Sequence, residues 1–76
     1  MIPIALIQSG EKVEIVDFFI KGRGFKERIR DMGLLPTKVV EVLSNNGNGP
    51  ILLKIDDSRI AIGRGMAMKI FVRRIS

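Results

Sequence analysis

Few residues in this chain could do chemistry, and their spacing argues against catalysis. Ser9, Ser44, Ser58 and Ser76 have no histidine to activate them, because the chain contains none. Lysine-assisted serine chemistry would need a buried pair that nothing in the sequence indicates. Asp56 and Asp57 are neighbours in a turn-forming stretch, so their carboxylates diverge instead of spanning a substrate as acid and base. With neither cysteine nor histidine, a metal site would fall to carboxylates, thioethers or backbone oxygens, a poor set for selective ferrous or zinc binding. Met32 reads as packing, and Met66 and Met68 as adaptable exposed surface. Gly22-Arg23-Gly24 and Gly63-Arg64-Gly65 look like pieces of a phosphate-binding loop. Neither has the third glycine, the Lys-Ser/Thr pair, or the flanking strand and long helix that such a loop needs. No catalytic, cofactor-binding or metal-ligating residue is assigned, and no cofactor is expected.

The elements that would position a site are short. A chain of 76 residues makes one domain, spanning 1–76, with a thin core. Its 46% hydrophobic content is mostly Ile, Val and Leu, suited to half-buried strands. Ile2 to Leu6 reads as a short strand or strand-like lead-in. Glu11 to Ile20 alternates through Val13 and Ile15, then changes face at Asp17, with Val16, Phe18 and Ile20 continuing on the new phase. A slip of one residue predicts a bulge that bends the strand. Lys21 to Gly24 reads as a loop, with Gly24 as N-cap of a helix whose Phe25, Ile29 and Met32 share one face. Gly33 supplies a left-handed stop, Leu34 folds back as the hydrophobic contact of that cap, and Pro36 sets a turn. Lys38 to Leu43, Ile51 to Ile55, Arg59 to Ile62 and Met68 to Arg74 read as strands. Ser44 to Pro50 is an exposed loop, and Gly63 to Ala67 a single turn. The expectation is an all-β fold: a small β-barrel of about five strands with one short inserted α-helix.

The charge is unevenly spread. All eight acidic residues lie at or before Asp57, and the whole net +5 sits in Arg59, Arg64, Lys69, Arg73 and Arg74. A second basic cluster holds Lys21, Arg23, Lys26, Arg28 and Arg30. Neither is interleaved with the stacking aromatics of single-strand binders, so no nucleic acid partner is expected. No apolar run approaches the ~20 residues of a membrane helix, and Pro3, Gln8 and Gly10 do not fit a signal peptide. A cytoplasmic protein without membrane insertion is the default reading. Strand alternation leaves Leu52 and Phe71 pointing outward, and Met66 and Met68 flank Ala67. These apolar residues, rimmed by Arg64, Lys69 and Arg73, are the candidate partner-binding surface. Weak self-association is compatible with such a surface.

Three strings carry a family resemblance: Gly10-Glu11-Lys12-Val13-Glu14-Ile15-Val16, Arg28-Ile29-Arg30-Asp31-Met32-Gly33-Leu34-Leu35-Pro36, and Val40-Glu41-Val42-Leu43. Gly49-Pro50 and Ile60-Ala61-Ile62-Gly63-Arg64 agree with it. The chain resembles the FeoA family, small proteins of ferrous iron transport, whose SH3-like domain also ends DtxR-type repressors. The resemblance implies an SH3-like barrel and a regulatory role beside a FeoB-type membrane transporter, with Fe2+ as the ion of the associated system. A transition-metal-responsive module that binds the ion directly is the alternative. Two departures stand out. Thr37 replaces the usual glycine after the proline, which predicts a type I turn, and Asp57 lies near a hairpin position often held by glycine.

Overall fold

Among the described residues six antiparallel strands form the fold, and the alternation of buried Val and Ile explains most of them. The computed structural model describes residues 1–19 and 23–75. The strands are β1 (Ile2–Pro3), β2 (Lys12–Phe18), β3 (Val39–Ser44), β4 (Ile51–Ile55), β5 (Ser58–Ile62) and β6 (Ile70–Arg74). Helix α1 (Arg23–Asp31) separates β2 from β3, and a one-turn helix α2 (Arg64–Ala67) separates β5 from β6. The strand order is β1-β6-β2-β3-β4-β5. The core collects Val13, Ile15, Val40, Val42, Ile51, Leu53, Ile70 and Val72 from alternate strand positions.

The slip in β2 is real. Ile15 pairs with Val72 and Asp17 with Phe71, so Val16 is the extra residue of a bulge. Val16 therefore does not join the inward set: it is 37% exposed, while Phe18 packs on the core. The expected first strand also stops early. After Pro3 the chain turns into a 3-10 helix over Ile4–Leu6, which buries Ile4 and Ala5. A proline that cannot donate a ladder bond suits so short an edge strand.

Helix α1 begins at Arg23, so Gly24 lies inside it and is not its N-cap; Ile20, Lys21 and Gly22 lie outside the described residues. Its C-terminal end follows the expected cap. The Leu34 N–H donates to the Ile29 carbonyl at 3.1 Å, and the Gly33 N–H to the Arg30 carbonyl at 3.0 Å, with Gly33 at φ +79. This is the paired-bond motif of a Schellman cap, and Leu34, fully buried, supplies its hydrophobic contact.

The type I turn expected after Pro36 does not form. Thr37 takes φ 74, inside the Leu35–Lys38 hydrogen-bonded turn. The cause is β2. The Thr37 N–H donates to the Ile15 carbonyl at 2.8 Å and the Ile15 N–H to the Lys38 carbonyl at 2.9 Å. Meeting both bonds holds Thr37 in a region that β-branched residues rarely occupy. Thr37→Gly should relieve roughly 1–3 kcal/mol of strain and return part of it as unfolded-state entropy. A net gain of about 1 kcal/mol, seen as a rise of roughly 4–8 °C in Tm by calorimetry, is expected. A lower Tm would show that the turn is unstrained. In the β4–β5 hairpin the positive φ falls on Asp56, not on Asp57.

Candidate docking surface

Strand β6 presents an outward row, because Ile70 and Val72 point into the core and alternate residues must face away. Phe71 lies between Lys69 and Arg73 on this row, half-buried beside Pro3 of β1 and Asp17 of β2. Met68 precedes it and is 46% exposed. Lys69 is placed by α1, its ammonium 5.4 Å from the centre of the Phe25 ring, within the ~6 Å range of cation–π attraction. Arg73 is held by Glu14, with Nε 2.7 Å and Nη2 2.6 Å from Oε1. Beyond it, Arg74 donates to Glu11 at 2.7 Å. That guanidinium, together with the Gln8 N–H, keeps the Glu11 carboxyl below its ordinary value.

The other members of the expected patch lie differently. Arg64 is not a free rim charge. Its Nη2 donates to Asn45 Oδ1 at 2.8 Å and its Nη1 reaches the Ala5 carbonyl at 3.4 Å, tying α2 to the 3-10 turn. Met66 is half-buried against the core, and Met68 is the more exposed of the pair. Leu52 sits half-buried on β4, which β2 and β3 separate from β6 in the sheet. Strand β6 starts only at Ile70, so Met68 and Lys69 lie in the turn before it; Lys69, Phe71 and Arg73 keep the outward alternation, and Met68 is exposed ahead of them.

Two further features carry no local sequence signal. Asn45 is a polar hub. Its Nδ2 donates to the Ala5 and Ile7 carbonyls at 2.9 and 2.7 Å, and its own N–H donates to Ser9 Oγ at 2.8 Å. The second feature is an apolar groove beside α1, about 170 Å³ in volume. Its lining combines the buried Ile29 and Leu34 and the half-buried Phe18 with four exposed residues, Leu35, Pro36, Lys26 and Arg30.

The donor set does not suit a resident metal ion. The chain has no Cys or His, and among the described residues no three carboxylates gather around one point. No helix among those residues is long and apolar enough to cross a membrane.

Comparison with known proteins gives the family and the fold. Residues 2–74 match the FeoA domain family. A Methanocaldococcus jannaschii protein bearing the name Fe(2+) transport protein A is 42% identical over 72 residues, covering 95% of this chain and 85% of that one. The crystal structure of an iron uptake regulatory protein (FeoA) superposes with a TM-score of 0.90 at 30% identity, over 97% of both chains. At 16% identity the fold alone is shared with a zinc complex of Stenotrophomonas maltophilia FeoA, described as an SH3 domain protein, with a TM-score of 0.80 over 96% of this chain and 91% of that one. A manganese-dependent transcriptional repressor contains the same fold in 41% of its length, matching 96% of this chain with a TM-score of 0.88 at 16% identity.

Proposed function

From the membership of this chain in the FeoA domain family, we propose that it serves ferrous iron uptake as a non-catalytic component that docks on a FeoB-type transporter. The family match carries this reading, and the residues support it. A chain with no histidine or cysteine and no acid–base pair has little with which to catalyse. In this reading the docking contact is Phe71 on the outward row of β6 with the exposed Met68 ahead of it, and Lys69 favours an acidic partner face, while Arg73 shares its charge with Glu14. Fe2+ is then the cargo of the system.

Titrating the protein into the cytoplasmic domain of a FeoB-type transporter tests both parts. Saturable binding is expected, and Met68→Glu combined with Phe71→Glu should weaken it by about a hundredfold or more, as loss of central apolar contacts does. Absence of binding by the unaltered chain would remove the partner. Unchanged affinity in the double variant would remove the surface.

A further inference from the structure

We propose that the groove beside α1 seats an apolar side chain from an acidic segment of a partner protein. The groove shares no residue with the β6 row and goes beyond the docking proposed there. Its 170 Å³ is close to the ~150 Å³ of an apolar cavity that accepts a benzene-sized guest. One leucine or phenyl side chain therefore fits. The apolar lining of Phe18, Ile29 and Leu34 offers that guest no polar partner, so burial of apolar area is the attraction.

The exposed cations of the lining set the chemistry of the flanking residues. Lys26 and Arg30 stand at i and i+4 on α1, on one side of the helix and exposed. Among the described residues neither has an acid within ion-pair distance, and no acidic residue lines the groove. Two uncommitted cations beside an apolar slot call for carboxylates flanking an apolar anchor. Leu35, also in the lining, is 41% exposed and extends the apolar contact. Concavity favours a protein segment over a lipid surface, since membrane insertion needs protruding apolar groups. A second copy is disfavoured by the like charge of a chain carrying +5.

The probe is a synthetic hexapeptide with two central leucines between pairs of glutamates, titrated into the isotope-labelled full chain and followed by amide chemical shifts. Shifts should concentrate at Phe18 and residues 26–35. Lys26→Glu with Arg30→Glu should weaken binding about tenfold, and Leu35→Asp comparably, since all three side chains are exposed and the fold does not depend on them. Added salt should weaken binding as well. A control peptide with lysines for glutamates should not bind, nor one with serines for leucines. Four results would each overturn the proposal: no binding at millimolar peptide, shifts centred on Met68 and Phe71, equal binding of the lysine peptide, or phosphatidylglycerol vesicles shifting the groove amides where the peptide does not. Because the groove variants leave Met68 and Phe71 intact, failure here is distinguishable from failure of the β6 surface.

Discussion

Asn45→Ala is expected to cost about 2–4 kcal/mol, through three neutral hydrogen bonds, one of them accepted from the exposed Gly47 N–H, and one to a charged group. For a chain of 76 residues, whose total stability on the usual scale is roughly 4–11 kcal/mol, that is a large share. The Ala5 and Ile7 carbonyls both rely on Asn45 Nδ2. Ala5 and Ile7 are buried, so water does not readily replace the lost donor. Arg64 loses its short bond at the same time. Arg64→Met should be far milder, within about 1 kcal/mol, because it removes the demand together with the supply. The guanidinium already carries a buried Nε with no partner, and Ala5 keeps its bond from Asn45. Urea unfolding monitored by circular dichroism checks both variants, with the slope expected to stay constant. A loss below ~0.5 kcal/mol for Asn45→Ala, or a larger one for Arg64→Met, would show that the hub is not what joins these segments.

Leu34→Ala should cost about 3 kcal/mol, in the usual range for truncating a buried leucine. Leu34 is 0% exposed, and its own N–H closes the helix cap on Ile29. Truncation removes the contact that seats α1 on the barrel, so the helix should loosen before the sheet does. Native-state hydrogen exchange should show amides 27–34 losing protection ahead of those in β2 and β6. Leu35→Ala is the control. That neighbour is 41% exposed, and its truncation should cost less than ~1 kcal/mol. Equal costs for the two leucines would mean that the cap does not anchor the helix.

Local signals in the sequence were enough for most of the frame. β4 was legible residue for residue, since Ile51, Leu53 and Ile55 alternate with outward Leu52 and Lys54. The β2 bulge was legible because Asp17 breaks a period that Val13 and Ile15 had established. Gly33 marked the helix stop by the one property no other residue shares so readily, an easy positive φ. What stayed hidden depends on partners far along the chain. Asn45 sits among turn-forming residues, and nothing local reveals that its amide reaches Ala5, 40 positions away, or meets Arg64, 19 positions on. Thr37 was misjudged for the same reason, as its backbone answers to Ile15 across the sheet. The β6 half of the candidate surface followed from alternation, whereas the groove beside α1 needs a helix laid over a strand before it exists.

The sheet order has a consequence for the order in which this protein can be made. β6, the last strand in the chain, lies between β1 and β2. Until residues 70–74 leave the ribosome, the β2 edge that will pair with Val72 and Phe71 has no partner, and Ile15 lacks its cross-strand cover. A nascent or truncated chain therefore carries an open apolar edge of the kind that recruits other strands. Closure must also wait for contacts spanning nearly the whole length, such as Ile2 with Val72, which slows folding.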